Sequence, residues 1–227
     1  MTWRYAARLV ADEVLVGFLL FLSAGTLAWQ RAWFVLAVML VVRAIGAITV
    51  YRLNPTLLRE RAGLPIHREQ RWADRVLVLG VLATGFLGLP IVAGLDVFRW
   101  HTLPLPGRPI AATGLVLFAT GWWLKNLALR ANAFAVAVVR LQSERAHVVA
   151  DGGPYAIVRH PFYAADPLIF VGLALWLGSY LAAFAAVLPI MLMLARLRLE
   201  ERLLSRELPG YAAYAARVRF RLIPGVW

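Results

Sequence analysis

The chain has 227 residues, of which 62% are hydrophobic and none is cysteine, and its formal net charge is +12. A soluble domain has roughly 45–50% apolar residues, so this composition excludes an ordinary soluble protein and predicts an all-α integral membrane protein. The absence of cysteine excludes disulfides, thiolate metal sites and cysteine nucleophiles. The basic residues lie between apolar runs without a recognition motif, so we expect membrane-flanking loops rather than a nucleic-acid surface.

Most of the apolar runs along the chain are close to the length that crosses a bilayer. The runs are Val14 to Trp29, Ala32 to Tyr51, Val76 to Leu95, Ile110 to about Leu129, Pro167 to Leu177 and Tyr180 to Leu197. Only Gln30 and Arg31 separate the first two runs, and only Gly178 and Ser179 separate the last two, so each pair predicts a helical hairpin. We therefore predict about six transmembrane helices followed by a cytoplasmic C-terminal helical segment.

The distribution of arginine predicts an orientation in the membrane. Arginines cluster in residues 4–8, 52–75, 130–159 and 198–221, whereas the opposite side has only Arg31, Arg99 and Arg108. The positive-inside rule then places both termini in the cytoplasm. The bias of the chain towards Ala, Leu and Arg leads us to expect the bacterial inner membrane. Asp12 and Glu13 interrupt the N-terminal basic region, which favours a retained first helix over a cleaved signal peptide.

A polar connection from Arg140 to Pro161 contains the first group of candidate functional residues. Pro161 disfavours helix at His160, so we expect the next helix to begin there, with the imidazole near the positive end of its dipole. That position suits a carboxylate ligand. The alternative is structural: Arg159 snorkels, His160 is a satisfied interfacial histidine, and Tyr155 and Tyr163 belong to the aromatic belt.

A second group of charged residues ends the last apolar run. Arg196 and Glu200 are four residues apart and share a helix face, whereas Glu201 points about 100° away. The alternative is a solvated helix end. The Arg-rich connection from Asn54 to Arg75 is expected to face lipid headgroups. The four histidines lack ligand spacing, so no metal site is expected.

Six short motifs in the C-terminal half identify a family. They are His147-Val-Val, Gly153-Pro-Tyr155, Arg159-His160-Pro161-Phe-Tyr163, Arg196-Leu-Arg-Leu-Glu200-Glu201, Pro209-Gly-Tyr211-Ala-Ala-Tyr214 and Arg221-Leu-Ile-Pro224-Gly-Val-Trp227. With these motifs, residues 131–227 resemble the isoprenylcysteine carboxyl methyltransferase family, which is related to the phospholipid N-methyltransferases. We treat residues 1–227 as one membrane domain, with N-terminal transmembrane helices in residues 1–100 and a methyltransferase-like catalytic part in residues 131–227.

The resemblance implies an enzyme that uses S-adenosylmethionine, enclosed between the last transmembrane helices and the C-terminal segment. The implied cofactor contacts are His147, Val148, Val149, Ala150, Tyr155, His160, Pro161, Phe162, Tyr163, Glu200 and Glu201. Arg196 and Glu200 are the implied catalytic residues, and Arg196 faces the substrate group that accepts the methyl. Arg140 has no defined role, and Ala165 stands where the family often has glycine.

The chemistry of the cofactor agrees with this assignment. Its ammonium requires an acidic partner such as Glu200, and its carboxylate requires donors, which the His160 region could supply. Methyl transfer is a displacement at an activated carbon, so alignment and desolvation supply much of the acceleration. A carboxylate acceptor needs no general base, whereas an amine acceptor must lose a proton to Glu200, Glu201 or His160.

The favoured function is therefore methylation of a lipophilic acceptor at the cytoplasmic membrane face, with carboxylate O-methylation of the isoprenylcysteine type preferred. The acceptor is a lipophilic small molecule or a prenylated molecule that enters from the bilayer, and membrane lipids surround the protein. Three alternatives stay open: a phospholipid-type amine N-methyltransferase, an NADPH-dependent membrane reductase, and a non-catalytic scaffold or carrier. Membrane reductases have C-terminal segments with a similar Arg-His-Pro motif. Arg43, a charged residue within an apolar run, is the feature that would support a carrier.

Overall fold

The computed structural model describes residues 3–63, 70–136, 138, 142 and 145–227. Arg140 lies outside these residues. The described part of the chain contains helices and no strand, which confirms the all-α prediction. The α-helices are α1 (Trp3–Ala24), α2 (Gln30–Leu53), α3 (Pro55–Arg61), α4 (Trp72–Val81), α5 (Leu89–Leu95), α6 (Arg108–Ala131), α7 (Pro161–Leu177), α8 (Tyr180–Ala185), α9 (Val187–Glu207) and α10 (Tyr211–Arg217).

Three helical stretches in the described residues are long and apolar enough to cross a membrane. They are Gln30–Leu53, Trp72–Trp100 and Tyr180–Glu207. The second stretch is continuous because π-helical turns follow α4 and α5. Helices α1 and α6 are also long, but charged side chains such as Glu13 and Lys125 reduce their apolar character. The protein is an integral membrane protein. Length and composition support three spans within the described residues, and the count of six stays a prediction.

The helix ends agree with the sequence at two of the three places where we predicted a boundary. Ser179 caps α8 by accepting a hydrogen bond from the amide of Ala182, and Gly178 ends α7 with a φ of 99°. His160 directly precedes α7, as predicted. The first hairpin differs, because Gln30 and Arg31 open α2 and the turn lies at residues 25–29. Gly25 has a φ of 72°, which glycine tolerates better than other residues.

Helices α6 and α7 pack closely through glycines. A Cβ atom on Gly172 of α7 would lie 2.5 Å from the amide nitrogen of Phe118, and one on Gly121 of α6 would lie 2.9 Å from the carbonyl oxygen of Ala165. Phe118, Ile169 and Phe170 belong to the main core, in which α6 and α7 meet α1, α2 and α5. This close packing sets the position of the N-terminal end of α7, which carries three predicted site residues and directly follows a fourth, His160.

We had expected the connection between α2 and α4 to face lipid headgroups, but part of it is buried inside the protein. Leu57 and Leu58 of α3 are fully buried. Asp74, in the first turn of α4, is only 2% exposed. Because a carboxylate is stable in such a place only with a partner, Asp74 indicates a polar site inside the bundle.

Candidate active site

A cavity of about 530 Å³ brings most of the predicted site residues together. This volume falls within the range of about 300–1,000 Å³ that is usual for ligand sites. The predicted residues that line it are His147, Val148, Val149, Ala150, Tyr155, His160, Phe162, Tyr163, Arg196 and Glu200. Pro161 is the buried first residue of α7, and Glu201 lies on α9 beside Glu200, but neither is among the lining residues. The functional roles of all these residues stay predictions.

The Tyr163 hydroxyl connects the two predicted catalytic residues. It donates to Glu200 Oε2 at 2.6 Å and accepts from Arg196 Nη1 at 2.8 Å. The Arg196 guanidinium also donates through Nε to Asp74 Oδ1 at 2.8 Å. The sequence had suggested that Arg196 faces Glu200 directly along one helix face. The structure adds Asp74 as a buried carboxylate partner, so that the arginine is held from α4 as well as from α7.

Glu201 binds three groups that are distant from it in sequence. Its carboxylate accepts from Arg159 Nε at 2.6 Å and from Arg221 Nε, and His160 Nε2 lies 3.3 Å from Oε1. Arg159 is buried rather than snorkelling, and its Nη1 donates to the carbonyl of Val218 at 2.9 Å. In this arrangement Glu201 holds the C-terminal segment against the start of α7 behind the cavity wall, and its predicted cofactor contact stays untested.

The segment from His147 to Ala150 forms one wall without regular secondary structure. The His147 ring stacks on Phe134 with centroids 4.4 Å apart, and Val148 is 61% exposed. Residues 148–150 take part in no described backbone–backbone hydrogen bond, so their amides and carbonyls can serve a ligand. The preceding Ala146 has a φ of 48°, an uncommon conformation that strains a non-glycine residue.

Three buried tyrosines lie around the same part of the cavity. Burial raises the pKa of Tyr155 and Tyr211 well above the ordinary value, and it raises the pKa of Tyr214 to about 12. All three hydroxyls are therefore neutral donors at physiological pH. Tyr214 donates to the Tyr155 carbonyl at 2.8 Å, and Tyr211 donates to Glu201 at 3.4 Å. The two hydrogen bonds tie α10 to the rest of the site.

These residues fit S-adenosylmethionine by their chemistry. Glu200 offers a carboxylate to the ammonium group, and the amides of residues 148–150, which take part in no described backbone–backbone hydrogen bond, offer donors to the carboxylate. Tyr155, Phe162 and Tyr211 line the cavity and supply aromatic faces for a base or a sulfonium. An acidic group, donors and aromatic rings thus share one cavity.

Sequence reasoning missed a second charged group in the cavity, on the side of α1, α2 and α6. Lys125 Nζ lies 2.6 Å from Asp166 Oδ1, with both side chains 8% exposed, and 4.3 Å from the centroid of the Phe162 ring. Arg43 binds Asp12 at 2.7 Å and Glu13 at 3.2 Å. A charge inside an apolar run was the signal available in the sequence. Only Arg43 was noted there, and its two carboxylates show that it is paired.

Comparison with known families gives a match over residues 110–209 to the model of the phospholipid methyltransferase family. Residues 110–209 are a phospholipid methyltransferase domain. The domain runs from α6 through α9, so it contains Arg196, Glu200 and every lining residue from His147 to Tyr163. Its presence confirms the resemblance to this group of membrane methyltransferases. The narrower assignment to isoprenylcysteine carboxyl methyltransferases stays a prediction. None of the curated proteins compared with the chain matches it.

Proposed function

We propose that the protein transfers a methyl group from S-adenosylmethionine to a lipophilic acceptor, and that the acceptor atom is a carboxylate oxygen. The phospholipid methyltransferase domain supports the reaction type. The observation that carries the proposal is the hydrogen-bonded row of Arg196, Tyr163 and Glu200 along the cavity. A cation for the acceptor and an anion for the cofactor lie within two hydrogen bonds of each other.

In this proposal the residues bind and align, and none becomes covalently attached. The cofactor, when bound, supplies an electrophilic methyl group on sulfur. Glu200 holds the positively charged amino acid end, and Tyr163 keeps the Glu200 carboxylate in place. Arg196 orients the acceptor carboxylate, and Asp74 fixes the arginine from behind. Alignment of this kind supplies much of the barrier reduction in a two-substrate reaction, and a buried cavity excludes water.

The acceptor is proposed to enter from the bilayer at the cytoplasmic face. The cavity has apolar lining from α1, α2 and α4, including Leu9, Val16, Met39 and Val78. An acceptor with a hydrocarbon tail would bury apolar surface there, at about 25 cal/mol for each Å² removed from water. A small prenylated acid or another lipophilic carboxylic acid has the required chemistry. An amine acceptor would instead need Glu200, Glu201 or His160 to remove its proton.

Binding of S-adenosylhomocysteine to the protein in nanodiscs tests the cofactor assignment. We expect the wild type to bind this product and not NADPH in a calorimetric titration. Glu200→Gln should lower the affinity about tenfold or more, because a charge-assisted hydrogen bond contributes about 1.5–3 kcal/mol. Glu207→Gln is the matched control, since Glu207 is exposed at the end of the same helix. Equal affinity in the two variants would remove Glu200 from this role, and binding of NADPH alone would favour the reductase.

Measurement of turnover distinguishes the proposed role of Arg196 in acceptor binding from a role in cofactor binding. We expect Arg196→Ala to reduce methylation of a lipophilic carboxylic acid by about a hundredfold or more, while binding of S-adenosylhomocysteine changes much less. Arg198→Ala is the control, because Arg198 is exposed on the same helix. Mass spectrometry of the products distinguishes esters from methylated amines. Unchanged turnover in a folded Arg196→Ala variant would exclude the proposed role.

A further inference from the structure

Arg8, Arg43 and Arg61 line the cavity from the part of the chain that precedes the phospholipid methyltransferase domain, and two of them, Arg8 and Arg61, are in contact. Arg8 lies on α1, and Arg61 is the last residue of α3. Arg8 Nη1 donates to the carbonyl of Arg61 at 3.0 Å and to the carbonyl of Gly63. These bonds hold Arg8 at the C-terminal end of α3 and bring the two guanidinium groups to the same wall.

Arg61 is held in place by neutral groups. Its Nη1 donates to the carbonyl of Ala135 at 2.6 Å, and its guanidinium carbon lies 5.1 Å from the centroid of the Phe162 ring. Burial lowers the pKa of the Arg61 guanidinium below its usual value, which reflects unfavourable desolvation of the charge. An anion in the cavity would offset this desolvation.

The other Arg and Lys side chains that line the cavity have carboxylate partners. Arg43, Lys125, Arg159 and Arg196 each have a carboxylate oxygen at 2.6–2.8 Å. Within the part of the chain that the structure describes, neither Arg8 nor Arg61 has such a partner. Arg8 and Arg61 are partly buried, and a charge that is partly removed from water is normally paired, so two such cations without a carboxylate beside a ligand-sized cavity indicate an anionic ligand. We propose that Arg8 and Arg61 form an oxyanion subsite of the cavity, which binds a carboxylate or phosphate group.

The headgroup of the acceptor is the favoured source of this oxyanion. Both arginines lie outside residues 110–209, the segment matched by the family model, and a cofactor site common to a family is expected inside the common segment. Apolar residues line the same cavity, including Leu9, Val50 and Leu58. A headgroup at the arginines would therefore leave the tail against apolar walls. Assignment to the acceptor rests on the proposed function, whereas the existence of the subsite does not.

Paired amphiphiles of equal chain length test the subsite without turnover. Native mass spectrometry of the detergent-solubilised protein would compare oleate and oleyl phosphate with oleyl alcohol, which has no charge. We expect the two anions to bind at least tenfold more tightly than the alcohol. Arg61→Gln and Arg8→Gln should each remove most of this difference and leave alcohol binding within twofold, because a charged hydrogen bond changes affinity by about tenfold to a hundredfold.

Arg59→Gln is the matched control, since Arg59 lies on α3 and is exposed. Arg61→Lys keeps the charge and should restore part of the preference for anions, which a purely structural role would not do. Equal losses in Arg59→Gln and Arg61→Gln, or an unchanged preference in folded Arg61→Gln and Arg8→Gln, would overturn the subsite.

Titration with S-adenosylhomocysteine and its decarboxylated analogue identifies the source of the oxyanion. If Arg61→Gln weakens only the carboxylated compound, the subsite exists and binds the cofactor carboxylate. If it weakens neither compound while the preference for oleate and oleyl phosphate is lost, the subsite binds the acceptor headgroup. Failure of the wild type to bind either compound would count against the proposed methyltransferase while leaving the amphiphile comparison intact.

Discussion

At the scale of single residues, the site depends on a buried ion pair that crosses the bundle. Asp74 is 2% exposed, and its Oδ1 accepts from Arg196 Nε at 2.8 Å. Gln70 Nε2 donates to the other carboxylate oxygen at 2.5 Å. A buried pair adds little to stability compared with apolar residues, but removal of one partner leaves a buried charge without compensation. Because the Arg196 charge would lack compensation away from Asp74, the pair holds Arg196 in one orientation.

Asp74→Asn tests this pair. We expect it to destabilise the protein by about 3 kcal/mol, because the guanidinium of Arg196 loses its buried counter-charge. Thermal unfolding in nanodiscs provides the measurement. Asp151→Asn is the control, since it removes a pair with Arg217 in which both side chains are more than half exposed, and such a pair contributes less than about 1 kcal/mol. Similar effects of the two substitutions would contradict the proposed function of Asp74 as a support for Arg196.

At the scale of helices, contact between α6 and α7 positions the site. Gly114 and Gly172 face each other, so that a Cβ atom on Gly172 would lie 2.6 Å from the carbonyl oxygen of Gly114. The two backbones can approach this closely only without side chains, as in other membrane helix pairs with small residues. Tyr163 and Phe162, at the start of α7, take their positions from this packing.

Gly172→Ala should separate the two helices. We expect a loss of about 1–3 kcal/mol from overpacking, because the new methyl group would meet backbone atoms that have no flexible alternative. The thermal midpoint in nanodiscs and the affinity for S-adenosylhomocysteine should fall together. Gly152→Ala is the control, because a Cβ atom there meets nothing within 4 Å. A Gly172→Ala variant as stable as Gly152→Ala would show that the helices can adjust.

At the scale of the whole molecule, the C-terminal segment closes the site by binding back to the start of α7. The amides of Arg159 and His160 donate to the carbonyls of Phe220 and Arg221, both at 2.9 Å. Glu201 joins the same two segments through its side-chain bonds. The Glu201 carboxylate thus links α9 to the start of α7 and to the C-terminal segment.

Glu201→Gln should loosen this closure. We expect faster amide hydrogen exchange at Arg159 and His160, because the amide side chain keeps the shape of glutamate but loses its charge. Hydrogen exchange followed by mass spectrometry measures the change. Glu200→Gln serves as the comparison, since it should weaken cofactor binding without faster exchange at these amides. Faster exchange in both variants, or in neither, would contradict the separation between a closing residue and a binding residue.

The class of the protein, most helix positions and the motifs that carry the family resemblance could be predicted from the amino-acid sequence. These features are local, because apolar composition, proline and glycine act on neighbouring residues. His160 as the residue before a helix and Gly178 with Ser179 as a hairpin turn are examples. The turn at residues 25–29 was misplaced because Gln30 and Arg31 looked like the polar break, although they open α2.

The pairing of charged side chains could not be predicted from the sequence and became visible with the packing of the helices. Asp74 pairs with Arg196, and Lys125 pairs with Asp166, across separate helices. The partners of Glu201, Arg159 and Arg221, are likewise distant in sequence, and its predicted cofactor contact stays a prediction. Helix periodicity states which face a side chain occupies, but it does not state which helix lies opposite. Electrostatic partners in a bundle depend on that packing, so a single sequence could not specify them.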